Sequence, residues 1–225
     1  MMANSPDNLN NLLEQLRLSW FNLLDKSSAE KKLGDKIFTS LTNSYSEPAR
    51  SYHNLKHIYD LLHYIDQIEN IAENVNVLQF SAWFHDYIYD PQSLNNEARS
   101  AVYAIKSLRQ LNIDRQTIDI VEQIILSTKN HQPLIKNIDN LLFLDVDLAI
   151  LGTTPNKYQK YTRAIRQEYS HLSNRDYLIG RRKVLTQFLN RKRIYYTDYF
   201  YQNLELAARK NLQAEVNCFD PINLI

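Results

Sequence analysis

The stretch ARSYHNLKHIYDLLHYI places His53, His57 and His63, half of the six histidines of this chain, within eleven positions. Residues four apart on a helix sit one above the other on the same face. A helix through this stretch therefore points His53 and His57 the same way, with Asp60 alongside. Next comes WFHDYIYD, where His85 is followed directly by Asp86 between Trp83, Phe84, Tyr87 and Ile88. Burying such a polar pair is costly unless each group finds a partner or a cation. Further on, FLDVDLAILG sets Asp145 and Asp147 in the most hydrophobic segment of the chain, where an acid is paired, protonated or bound to metal. Together these anomalies fit a divalent-cation site, with imidazole and carboxylate ligands converging from different helices. Taken singly, each has a plainer reading. An imidazole pair at this spacing also occurs on solvated helix faces, and Asp145 and Asp147 also suit a helix cap or a pairing with arginine.

The elements that must position these groups read as helices. The chain has only three glycines, Gly34, Gly152 and Gly180. That scarcity disfavours β-hairpins, phosphate-cradling loops and dinucleotide-binding turns, which need positive φ or close backbone approach. Leu9, Leu12, Leu13, Leu16, Trp20 and Leu23 form one stripe of helical period, and Ile118, Val121, Ile124 and Ile125 form another. Breaks fall at NSYSEPA, DPQSLN, NHQP, LGTTPN and HLSNRD, each rich in Pro, Asn, Ser or Asp. Ser93 and Asn96 suit capping of the helix after them, Gly152 closes a helix, and Thr154 with Pro155 opens the next. NVNVLQF has a strand-like composition but runs on into SAWFHDYIY as a buried helix. The expectation is an all-α protein, a single domain over residues 8–216 of about nine or ten helices, with flexible termini at 1–7 and 217–225.

Composition narrows the function. A net charge of +1 argues against a dedicated nucleic-acid binder, which needs a basic surplus. The lone Cys218 excludes an internal disulfide framework and fits a reducing cytoplasm. No signal peptide is expected, and the most apolar run, LLFLDVDLAIL, is broken by two aspartates and too short to span a bilayer. A cytoplasmic protein without membrane attachment is expected, with room for a homo-oligomer.

Several motifs carry a resemblance. YHNLKHI, WFHDYIYD, NNEARSA, STKNH, FLDVDLAILG, YTRAIRQEY and GRRKVLTQFLNRKRIYYT resemble, in order, a bacterial family of HD-superfamily metal-dependent phosphohydrolases, over roughly residues 10–216. YHNLKH is also similar to the YHNxxH signature of cyclic-nucleotide phosphodiesterases. The resemblance implies an HD-type helical bundle in which His53 is the general acid and His57, His85, Asp86 and Asp147 are the metal ligands. Asp145 is the rival for the last place. Glu97 resembles a glutamate that holds the attacking water or orients a histidine, although a pairing with Arg99 or Arg50 suits it as well. The implied cofactor is a divalent cation, and the ligand mix suits Mn, Fe, Zn, Ni or Mg. The implied reaction is hydrolysis of a small phosphorylated substrate, a phosphomonoester or phosphodiester, with nucleotides among the candidates.

Lys129 and His131 in STKNHQP, and Arg181 just after Gly180, are further candidates for substrate binding. His63 and His171 read as surface or cap residues. Two other functions share the residues: a non-catalytic sensor that binds a metal or nucleotide, and an HD-type di-iron oxygenase. The first has no need of a proton donor such as His53. The second usually has an adjacent histidine pair, which this chain lacks.

Overall fold

Helical periodicity carries the architecture. A computed structural model describes residues 6–219, and all regular structure among them is helical, with no strand. Ten α-helices follow in order: α1 (Pro6–Lys26), α2 (Lys31–Tyr45), α3 (Leu55–Gln67), α4 (Val75–Phe84), α5 (Asn96–Gln110), α6 (Arg115–Thr128), α7 (Ile138–Asp147), α8 (Pro155–Glu168), α9 (Asn174–Leu189) and α10 (Asp198–Asn217). A short 3-10 helix, Leu148–Gly152, follows α7 directly. The chain forms two compact units, residues 1–143 and 144–225, divided inside α7 after Phe143. The flexible termini expected at 1–7 and 217–225 lie largely outside the described residues. No described helix is long and apolar enough to cross a membrane.

In the first unit, α5 packs along α6, and α4 packs on α3, α5 and α6. The stripe on α1 is buried from Leu16 onward, whereas Leu9, expected on the same face, is exposed. The centre of this core is aromatic. Trp20 meets Trp83 edge-on at 5.5 Å between ring centroids, and Phe38 meets Trp83 at 5.8 Å. Such edge-to-face pairs add about 0.5–1.5 kcal/mol each beyond their burial. The Trp20 indole also donates to the carbonyl of Gly34 at 3.0 Å, close to a glycine where an added Cβ would collide with Leu24. Capping is local and polar. Asn54 caps α3 by accepting from the Lys56 amide, Asn74 caps α4, and Asp114 caps α6. The start of α4 is held further by Asp139, whose carboxylate accepts from the backbone N–H groups of Glu73 and Asn74 at 2.9 and 3.0 Å. Ser93 and Asn96 do not cap α5. The helix starts at Asn96, and that side chain instead bonds the backbone of Asp90, while Ser93 bonds Asn95.

In the second unit, α10 packs on the 3-10 helix and on α9, and α8 also packs on the 3-10 helix. Gly152 sits against Leu204 of α10, where a Cβ would come within 2.5 Å of the leucine Cβ. Polar side chains of α10 satisfy the irregular backbone around it. Asn211 donates to the carbonyls of Leu151 and Thr153, both at 2.8 Å. Arg209 donates to the carbonyls of Leu189 and Arg191 at 2.9 and 2.7 Å. Glu205 accepts from the backbone N–H groups of Ile194 and Tyr195. Buried polar backbone is costly unless paired, so α10 completes this unit as much by hydrogen bonding as by apolar burial.

Candidate metal centre

Two segments of the first unit bring imidazoles and a carboxylate together. His57 lies in the first turn of α3 and is buried, because that face of α3 packs into the core with Ile58, Leu61 and Ile65. His53 does not share the helix with it, as periodicity had suggested. Asn54 is the cap of α3, and His53 stands in the bend just before it. The two rings nonetheless remain close, with centroids 5.7 Å apart. Likewise α4 ends at Phe84, so the His85–Asp86 pair occupies the turn that closes the helix rather than its interior. That exit explains how a buried pair is tolerated: His85 is 1% exposed, while the Asp86 side chain is 18% exposed.

The donor atoms converge. His57 Nε2 and His85 Nε2 are 3.2 Å apart, and Asp86 Oδ2 is 3.0 Å from His85 Nε2 and 3.9 Å from His57 Nε2. Asp147 ends α7 and belongs to the second unit. Phe143 packs its ring edge-on against His85 at 5.6 Å, and Asp147 is the next residue along the same helical face. Asp145, two residues earlier, points roughly the opposite way. Its buried carboxylate accepts from the N–H groups of Tyr196 and Thr197 and from the Thr197 hydroxyl, each at 2.7 Å.

These spacings fit a cation. Ligand atoms at about 2.0–2.2 Å from a divalent ion stand about 3.0–3.5 Å apart when they occupy neighbouring positions. The chemical state of the donors fits as well. His85 Nδ1 donates to the Ala82 carbonyl at 3.1 Å, which fixes the tautomer and leaves the Nε2 lone pair facing the shared space. Burial, followed by the neighbouring His85 and His53, holds the His57 pKa well below that of a free imidazole, so the ring is neutral. For Asp86, burial alone would raise the pKa, but His85 and His53 outweigh it and hold the carboxyl well below the usual range. A neutral His57 imidazole and an ionised Asp86 carboxylate are donors that suit a divalent cation.

His53 stands beside this group. Its Nε2 is 3.9 Å from Asp86 Oδ2, and its ring lies against Tyr89 at 4.3 Å and edge-on to Tyr52 at 5.0 Å. The other expected site residues fall elsewhere. Glu97 is half-buried in the first turn of α5 and is not among the clustered ligand groups. Lys129 directs its ammonium to the Leu94 carbonyl at 2.9 Å, and His131 sits in a left-handed turn with φ 46°. Arg181 belongs to the second unit, where its Nε and one terminal nitrogen donate to Glu215 at 2.8 and 3.1 Å and the other terminal nitrogen donates to the Tyr161 hydroxyl at 3.3 Å. Tyr158 also donates to Glu215. That buried ion pair leaves Arg181 no fork to offer a phosphate. His63 is exposed and bonded to Gln67.

One residue that the sequence offers only as an alternative partner for Glu97 takes a different role. Arg50, buried in the turn before α3, donates to the carbonyl of Asp86 at 2.6 Å and to that of Tyr87 at 2.8 Å. It also reaches the carbonyl of His53 at 3.4 Å, Ser44 Oγ at 2.8 Å and Glu47 at 3.3 Å. The only signal in the sequence is an arginine three positions before the first histidine of YHNLKH. Comparison with protein-family models, curated proteins and solved structures finds no match.

Proposed function

We propose that the protein is a metal-dependent phosphohydrolase that acts on a small phosphomonoester or phosphodiester, nucleotides included. The observation that carries this reading is the convergence of His57, His85 and Asp86, with His53 at its edge. It is joined by the motif resemblance to HD-superfamily phosphohydrolases. A divalent cation held there would lower the pKa of a water molecule and offset the negative charge of a phosphate. The protein's own groups supply the rest. His57 presents a neutral nitrogen and Asp86 an ionised oxygen, so neither has to change its protonation state before binding. His53 has 20% of its side chain exposed, which leaves it open to a substrate oxygen. In the proposed reaction it donates a proton to the departing alkoxide, and the ionised Asp86 nearby stabilises the protonated imidazole that gives it. Tyr89 and Tyr52 hold the His53 ring in place by contact on its face and edge.

The test is metal analysis of the purified protein, followed by a screen of phosphate esters with the metal found. Asp86→Ala serves as the control. The reading requires about one or two equivalents of divalent metal in the wild type and loss of both metal and hydrolysis in the variant. A wild-type protein that takes up no divalent metal overturns it, as does an Asp86→Ala variant that hydrolyses phosphate esters at the wild-type rate.

A further inference from the structure

We propose that Arg50 is a positioning residue that holds the Asp86 turn and the His53 bend in register; its consequence for metal binding rests on the metal reading above. An arginine next to a phosphohydrolase site would ordinarily be read as a phosphate clamp. The geometry argues otherwise. A guanidinium has five N–H donors, and Arg50 makes five hydrogen bonds inside the protein: Nε to Glu47, one terminal nitrogen to the carbonyls of Asp86 and His53, and the other to Ser44 Oγ and the Tyr87 carbonyl. Its side chain is only 2% exposed. No donor remains for a substrate.

What those bonds hold is specific. Residues 85–90 lie between α4 and α5; the His85 and Tyr87 amides bond back to the carbonyls of Ser81 and Phe84, and side chains fix much of the remaining backbone. Ser100 fixes Ile88, and Asn96 fixes Asp90. Ser44 also donates to the Tyr87 carbonyl, at 2.6 Å. Among these side chains, Arg50 is the one whose bonds join this turn to the bend that carries His53. It reaches the same histidine by a second route. The guanidinium carbon lies 5.6 Å from the Tyr89 ring centroid, and Tyr89 in turn lies against His53 at 4.3 Å. The Glu47 partner is a weak counter-charge, with its side chain 54% exposed. An isolated ion pair therefore does not account for burying this arginine.

The test compares Arg50→Lys and Arg50→Gln with Ser44→Ala, which removes one bond of Arg50 and a neighbouring bond to Tyr87 but leaves the bond from Arg50 to Asp86 in place. Hydrogen–deuterium exchange on metal-free protein is the first readout. Arg50→Lys should speed exchange at residues 85–89 while leaving α6 unchanged, since one ammonium cannot hold the carbonyls of His53, Asp86 and Tyr87 together. Manganese(II) titration is the second. Both Arg50 variants should bind the ion about 10–100-fold more weakly, whereas Ser44→Ala should stay within about threefold of wild type, because the Asp86 carbonyl keeps its donor. Unchanged exchange at 85–89 in Arg50→Lys overturns the proposal. So does wild-type affinity in that variant, or an equal loss in Ser44→Ala. If Asp86→Ala binds manganese as tightly as wild type, the metal reading itself has failed, and the exchange data alone decide whether Arg50 holds the turn. Arg50→Lys keeps the buried charge and serves if Arg50→Gln does not fold.

Discussion

Replacing His57 and His53 separately by alanine should give opposite defects. His57 is 4% exposed, and its Nε2 faces that of His85 at 3.2 Å. Four-ligand structural zinc sites bind with about 10–16 kcal/mol. An equal share for each of four ligands is about 2.5–4 kcal/mol, so His57→Ala should weaken metal binding by about 70-fold or more. His53 lies outside the ligand group, with its Nε2 3.9 Å from Asp86 Oδ2. Its removal should change the metal dissociation constant by less than about threefold. Loss of a positioned proton donor should instead lower turnover by about 10²–10⁴-fold. The assay is metal content after dialysis together with a metal titration, run beside phosphate release from an aryl phosphate. Equal loss of metal in the two variants would refute the division of roles. Retention of stoichiometric metal by His57→Ala would refute the ligand assignment.

Three further outcomes follow from the packing. Burial pushes the Asp145 carboxyl from 3.8 up to about 6, although Thr197 and Tyr196 donate to it and pull the other way. A raised folded value means that its contribution to stability is full below pH 4 and is lost as pH rises through 6. The stability of wild type relative to Asp145→Asn should therefore fall by up to ~3 kcal/mol between about pH 4 and 7 in denaturant titrations, and a flat difference would count against it. Asp139→Asn should destabilise by about 1–3 kcal/mol in urea melts, because one of its two backbone donors then meets an amide that cannot accept. Gly152→Ala drives a Cβ to 2.5 Å from that of Leu204 and should cost about 1–3 kcal/mol, whereas Gly180→Ala in α9 meets nothing within 4 Å and should stabilise by about 1 kcal/mol. Thermal melting of the pair checks both signs.

The sequence revealed the helices more fully than the site. Apolar spacing and the scarcity of glycine pointed to an all-helical chain because each helix buries one continuous face, a pattern written locally. Ends were harder to read, since caps depend on which neighbour reaches them: the start of α4 is secured by Asp139, 65 residues downstream of Asn74. Periodicity also placed His53 on the same helix as His57, but Asn54 starts that helix, and His53 approaches from the preceding bend. The opposite directions of Asp145 and Asp147 follow from their two-residue spacing on a helix. Arg181 looked available for a phosphate because Glu215, 34 residues away, leaves no mark near it in the sequence. The role of Arg50 was hidden for the same reason, since its value lies in carbonyl groups brought close only by folding.

The dependence of the second unit on α10 has a consequence for the order of synthesis. The carbonyls of Leu151, Thr153, Leu189 and Arg191 and the amides of Ile194 and Tyr195 find their partners on a helix translated after all of them. Some 55 residues separate Phe143, where the first unit ends, from Asp198, where α10 begins. At about 5–20 residues per second, a ribosome needs about 3–11 s to cover that distance. During that interval the first unit has all of its residues, while the second still presents unsatisfied backbone to solvent and to chaperones. A chain cut off before α10 would leave that segment permanently open to proteases.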